Sequence, residues 1–326
     1  MRILVCGGAG YIGSHMAKML VGLGHSVTVF DNLSTGHRHL VKWGGLVEGD
    51  LLRPADLKAL FDRERFDGVM HFSARSLVGE SIRDPDLYYR NNVTGTENLL
   101  RAMREAGLQR FVFSSSAAVY GNPIKGLIDE AHPARPINPY GETKLRVEEI
   151  LQSRAAEHGL RSVSLRYFNA AGADPQGETG ELHNPETHLI PNVLRAAKGE
   201  SGLQVFGNDY GTADTTCIRD YIHVNDLCRA HLQALEFMEE RPGAHVFNLG
   251  IGKGFSILEI IRAAEKVVGK SIPFTYAPRR PGDPPVLVAD STLARKTLGW
   301  QPEYIDHEEI IRTAWRWMAG GEESEG

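Results

Sequence analysis

The sequence predicts an α/β fold, a doubly wound parallel sheet with a smaller C-terminal lobe, and three observations carry that prediction. Short apolar runs at residues 3–5, 26–30, 68–71, 110–114 and 162–167 are each followed by an amphipathic stretch, the pattern of right-handed βαβ units. A glycine cluster, Gly7, Gly8, Gly10 and Gly13, follows the first run directly. After Asn169 the rhythm breaks into turn-rich sequence. With 326 residues, 42% of them hydrophobic, the chain is long enough to bury a large core as one domain or two intimate ones.

Taken in order, residues 3–5 are too few for a surface helix and end in glycines, so they read as a buried strand, and a helix is expected to begin near Tyr11. Residues 26–30 form the second strand, ending at Asp31 and Asn32, and a further apolar run precedes Gly49, Asp50 and Leu51. Residues 68–71 and 110–114 continue the sheet, with amphipathic helices at 87–104 and 139–156 around the latter, and 162–167 completes the regular series. Residues 171–180 are loop-like and suit the rim of a binding site. Segments 221–237 and 245–250 have the helix and strand character to return to the first sheet. The expected division is therefore 1–168, with about 221–250 returning to it, and 169–326, mainly a substrate lobe. Ile311, Trp315 and Met318, with Trp317 alongside, recur at helical spacing as a packed face. The acidic, glycine-rich residues 320–326 read as a disordered tail.

Composition narrows the function classes. Lys+Arg 36 against Asp+Glu 41 leaves a net charge of −5, which argues against nucleic acid or an anionic membrane as a partner. No stretch of ~18 apolar residues occurs and no export signal is read, so no membrane span is expected. Cys6, Cys217 and Cys228 are odd in number and lack the close pairs of zinc sites, which fits a reduced, cytoplasmic setting.

The glycine cluster sits between a predicted strand and a helix, where glycines allow a tight turn and bring backbone N–H groups against a pyrophosphate at the helix N-terminus. Asp31, 18 residues past Gly13, is placed to accept hydrogen bonds from an adenosine ribose and to repel a 2′-phosphate, so the expected cofactor is NAD rather than NADP. Gly49, Asp50 and Leu51 suit either the adenine edge or a simple turn.

Tyr140 and Lys144 stand four apart on a predicted helix and share a face. Free tyrosine, with a pKa of about 10, is too weak an acid to act as a base near neutrality; the Lys144 ammonium and an oxidised nicotinamide would both favour the phenolate. Ser116 follows the end of the strand 110–114, where loops of a parallel sheet meet ligands, and is placed to hydrogen-bond a substrate hydroxyl. An acidic protein that binds a diphosphate needs local cations, for which guanidinium forks such as those of Arg219 and Arg280 are suited, although any single arginine reads equally as an ordinary salt bridge.

Gly7 to Gly13, Ser114 to Ser116, Tyr140 to Lys144 and Arg166 to Asn169 together resemble the extended short-chain dehydrogenase/reductases, a Rossmann-type family. Val119-Tyr120-Gly121, residues 167–172, 206–210 and 219–224 resemble, in order and along nearly the whole chain, the UDP-glucose 4-epimerase family within it. The resemblance implies that Tyr140 takes a proton from the sugar 4-hydroxyl while C4 gives hydride to tightly held NAD, with return to the other face. Lys144 would tune the phenol and hold the nicotinamide ribose, and Ser116 would assist proton transfer. Carried over residue by residue, Gly7, Gly10, Tyr11, Ile12, Gly13, Asp31, Asn32, Asp50, Leu51, Phe72, Ser73, Ala74, Asn91, Ser114, Tyr140, Lys144 and Phe168 would line NAD. Ser116, Tyr140, Asn169, His188, Leu189, Phe206, Arg219, Arg280, Asp283 and Leu287 would contact the UDP-sugar. The chain departs from relatives at Cys6, commonly threonine, at Ser76, a lysine in some, and at His188, an asparagine in some. Leu287 falls where residue size sets tolerance of a bulky sugar 2-substituent, so N-acetylhexosamines are expected to be partly accepted.

Three other readings stay open. A nucleotide-sugar dehydratase shares the Tyr/Lys pair but needs further acid and base groups after Ser116, where this chain has Ala117 and Ala118. A decarboxylase or uronate epimerase needs a carboxylate pocket, and a non-catalytic NAD-binding regulator shares the fold alone. Relatives pair through a two-helix face, so 87–104 and 139–156 are expected to build a homodimer. His37 and His39 lack companion ligands and read as a cofactor-adjacent loop, and no metal is expected.

Overall fold

The computed structural model describes residues 1–280 and 283–320. In chain order its elements are β1 (Arg2–Cys6), α1 (Tyr11–Gly22), β2 (Ser26–Asp31), β3 (Gly45–Glu48), α2 (Pro54–Arg63), β4 (Gly68–His71), α3 (Val78–Arg83), α4 (Pro85–Tyr88), α5 (Gly95–Glu105) and β5 (Arg110–Ser114). They continue with β6 (Leu127–Ile128), α6 (Pro139–His158), β7 (Arg161–Tyr167), β8 (Asn169–Ala171), α7 (Leu189–Lys198), β9 (Leu203–Phe206) and β10 (Ile218–His223). The last are α8 (Val224–Glu240), β11 (Ala244–Leu249), β12 (Gly254–Ser256), α9 (Ile257–Val268), β13 (Phe274–Ala277), β14 (Val286–Ala289), α10 (Thr292–Leu298) and α11 (His307–Gly320). Residues 281 and 282, and the tail beyond Gly320 read above as disordered, lie outside the described residues.

Seven strands in the order β11-β7-β5-β4-β1-β2-β3 form one parallel sheet. Alternation along each strand splits the core. Ile3, Val5, Val29, Met70 and Val112 face α1 and α8, whereas Leu4, Cys6, Phe30, Val69 and Phe111 face α2, α5 and α6. Because both faces are covered by helices, the strands read as continuous apolar runs, and β1 is buried at four of its five residues. The strand order reverses beside β1, where β4 lies on one side and β2 on the other, and crevices for ligands open at the C-terminal ends of such strands.

The returning segments behave differently from each other. β11 pairs with β7 in the main sheet and α8 packs on it, as the sequence suggested. Residues 221–223 do not join it: they belong to β10, which pairs with β8, β12 and β14 in a second, five-stranded sheet that β14 links to β6. The C-terminal lobe has its own core, with α7, α9 and α11 packed together; Ile311 is buried there and Trp315 and Met318 lie against it. Among the described residues no helix is long and apolar enough to cross a membrane.

Candidate active site

Between β1 and α1 the backbone turns so tightly that side chains would obstruct it. Gly7 has φ of 81°, and a Cβ there would lie 2.5 Å from Ser73 N; a Cβ on Gly13 would lie 2.2 Å from Gly7 O. Gly10 is the N-cap of α1 and no side chain caps the helix, so its first-turn N–H groups keep their anion-binding character. Tyr11 and Ile12 begin that turn, and the Tyr11 hydroxyl donates to Gly172 O at 2.6 Å. This cradle fits the pyrophosphate of a dinucleotide.

Asp31, at the end of β2, accepts from Ala9 N at 3.0 Å and Leu33 N at 2.8 Å. Burial raises its carboxyl above the usual range, opposed by those two amides. Asn32 donates to Asp50 at 3.2 Å and Asp50 accepts from Leu52 N at 2.8 Å, so the loops after β2 and β3 close on each other with Leu51 buried beneath. Phe72, Ser73 and Ala74 follow β4; the Phe72 ring centre is 4.7 Å from that of His231. Asn91 lies in a π-helical turn, Tyr89–Thr94, and donates to Asn92, which in turn donates to Arg75 O and Thr143 Oγ1, tying the loop after β4 to α6. Arg75 itself pairs with Glu80.

Helix α6 begins at Pro139 behind an Asn138 cap whose side chain accepts from Gly141 N at 2.9 Å. That fixes Tyr140 in the first turn and Lys144 in the second. The Ser116 hydroxyl accepts from Ala118 N at 3.1 Å and lies near enough to the Tyr140 phenol to favour its ionised form. Lys144, 3% exposed, donates to Ser114 O at 2.8 Å, with its ammonium 5.7 Å from the Tyr140 ring centre. Burial raises the phenol above its usual value, opposite to the sequence expectation, and Ser116 partly offsets it; the Lys144 ammonium is itself pushed down to about 7 by burial against the attraction of Glu148. The Lys144 proton is aimed at a strand carbonyl, not at the phenol.

The residues expected around a nucleotide sugar come from both sheets. Asn169 opens β8 and donates to Asp220 O at 2.9 Å. Arg219 on β10 stands opposite Leu287 on β14 and pairs with Asp283 at 2.7 Å. Leu287 packs on the cluster of Tyr120 and Phe168, which joins it to the loop after Ser116. Arg280 lies over the Phe206 ring at 4.1 Å. Leu189 begins α7 and His188 is its N-cap residue, but the His188 imidazole is engaged with Glu181, so its Nδ1 is turned to that carboxylate.

Residues 3–250 match the NAD dependent epimerase/dehydratase family. The chain belongs to this family. Within the epimerases it is 49% identical to a UDP-glucose 4-epimerase of Lacticaseibacillus casei, over 97% of this chain and 96% of that one. Among solved structures, a UDP-glucose 4-epimerase from Brucella ovis in complex with NAD has 52% identity and a TM-score of 0.94, covering 96% and 97% of the two chains. A UDP-glucose-4-epimerase from Stenotrophomonas maltophila with bound NAD and formylated UDP-arabinopyranose has 40% identity and a TM-score of 0.96, covering 99% of both.

Several residues of this epimerase fold escaped the sequence reading. Glu148, one turn beyond Lys144, is 2% exposed; it accepts from Ser115 at 2.5 Å and from Arg166 Nε at 3.0 Å, and Arg166 reaches the Tyr120 hydroxyl at 3.0 Å. The spacing 140, 144, 148 was the available clue, since all three share one helix face. His231 on α8 meets Ser114 Oγ at 2.9 Å and Leu227 O at 2.8 Å; a carbonyl only accepts, so Nδ1 carries the proton and Ser114 donates to Nε2. His37 contacts Leu182 O at 3.1 Å, with the His39 ring 5.5 Å away. A second histidine group, His183 and His188 with Glu181 and Glu186, is assembled nearby.

Proposed function

We propose that this enzyme interconverts UDP-glucose and UDP-galactose at the sugar C4 with tightly bound NAD. The observation that carries the proposal is the Tyr140 phenol, beside Ser116 and one helical turn from Lys144, at the same sheet edge as the glycine cradle of Gly7, Gly10 and Gly13. Names of relatives that hold NAD or a UDP-sugar support the same assignment.

In this reading Tyr11, Ile12, Asp31, Asn32, Asp50, Leu51, Phe72, Ser73, Ala74, Asn91, Ser114 and Phe168 join the cradle in holding the dinucleotide, which when bound supplies the hydride acceptor and donor for C4. Tyr140 takes the proton of the 4-hydroxyl and returns it. Ser116 would share a hydrogen bond with that oxygen, and Lys144 would hold the nicotinamide ribose. Arg219 and Arg280 hold the diphosphate, while Asn169, Leu189, Phe206 and Asp283 frame the nucleotide and Leu287 the sugar. The 4-keto sugar turns over between these fixed ends, so that both faces of C4 meet the same hydride position.

We read residues 1–168 with the returning 244–249 as the cofactor lobe, and the protein as a cytoplasmic homodimer. Adding UDP-galactose to purified protein and following nicotinamide absorbance tests the function: transient reduced nicotinamide is expected, and none, together with unchanged sugar, contradicts it.

A further inference from the structure

The geometry points to a binding site for one first-row divalent transition cation formed by Glu181, His183, Glu186 and His188, between the start of α1 and the start of α7. One ligand atom from each of the four lies within 4.8 Å of all the others. Nδ1 of His183 is 3.0 Å from Glu181 Oε1 and 3.7 Å from Glu186 Oε1, and His188 Nδ1 touches the same Glu181 oxygen. A tetrahedral ion with bonds of about 2.0–2.1 Å needs ligand atoms about 3.3 Å apart, so these separations bracket the requirement.

Burial and support argue for a built site. The Glu181 and Glu186 side chains are 6% and 1% exposed, while the imidazoles of His183 and His188 are 31% and 48% exposed, so the anionic oxygens lie at the floor and the rings at an open mouth. In a metal-bound form the two imidazoles would be neutral and the two carboxylates would balance the charge of one divalent cation. Neighbouring groups hold the segment in place. Trp317 donates to Glu181 O at 3.2 Å, the Thr187 and His188 amides donate to Glu186 at 2.8 and 2.9 Å, and the His183 ring meets Tyr11 edge-on at 6.4 Å. Mixed imidazole and carboxylate donors suit zinc, cobalt or nickel better than magnesium or calcium, which take oxygen. Through Tyr11 the ion would anchor the segment 181–188 against the helix that begins the glycine cradle.

Cobalt(II) titrated into chelator-stripped full-length protein tests this. One equivalent per chain with visible d–d absorption is expected, and Glu181→Gln with His183→Gln should weaken binding more than about 100-fold while circular dichroism is retained. Absence of a stoichiometric band, or binding unchanged in the double variant, overturns the site in favour of two ion pairs with protonated imidazoles. Should the variant not fold, anomalous diffraction from zinc-soaked wild-type crystals decides: a peak among the four residues supports the site, and a peak elsewhere or none overturns it.

Discussion

Replacing Tyr140 by phenylalanine removes one oxygen and leaves the ring packed 6.5 Å from Tyr88. Turnover is expected to fall about 10³-fold with NAD retention unchanged, because general acid–base catalysis contributes about 10²–10⁴-fold. Steady-state kinetics together with cofactor content check this. Leu287 gives a second residue-scale outcome. It packs beside Tyr120 and Phe168, so Leu287→Cys opens space there, and kcat/KM for UDP-N-acetylglucosamine is expected to rise on the order of tenfold over wild type. An absolute block unrelieved by the smaller residue would count against pocket size as the gate. At this scale Tyr140, Lys144 and Ser116 were legible because spacing and position after a strand betray them. Glu148 was not: a glutamate on a helix reads as solvated, and its burial depends on Arg166, 18 residues on.

Strand β5 and helices α6 and α8 are locked by buried polar contacts, and their removal has opposite signatures. Glu148→Ala leaves Arg166 buried without its carboxylate, so unfolding free energy is expected to fall by about 3–5 kcal/mol, measured by denaturant titration. His231 acts through pH. Burial depresses its pKa from 6.5 to about 4, so between these values the unfolded chain binds the proton and the folded chain does not. Stability contributed by the neutral ring is present above pH 6.5 and is lost as pH falls toward 4. His231→Gln is therefore expected to lose less stability than wild type between pH 7 and pH 5, read from denaturation midpoints; equal losses would contradict the neutral, Ser114-bound imidazole. The elements themselves were legible where apolar runs alternate with helices. The second sheet was not, because β6 pairs with β14 from 161 residues away and no local pattern announces such a partner.

Seen whole, the molecule sets a rigid parallel sheet under irregular connections, and the chain crosses between its cores more than once. The sequence shows the crossing in outline, as apolar strand and helix patterns that resume after the turn-rich 171–180 segment. Which sheet each returning strand joins depends on pairing partners rather than composition, so β11 went to the first sheet and β10 to the second. The central claim is a reaction without net redox change on a UDP-hexose, and it is tested most directly by incubating purified protein with UDP-galactose and no added cofactor, following the sugar by proton NMR. Appearance of UDP-glucose to a fixed equilibrium ratio is the expected result. UDP-galactose left unchanged, even after NAD is supplied, would contradict the account.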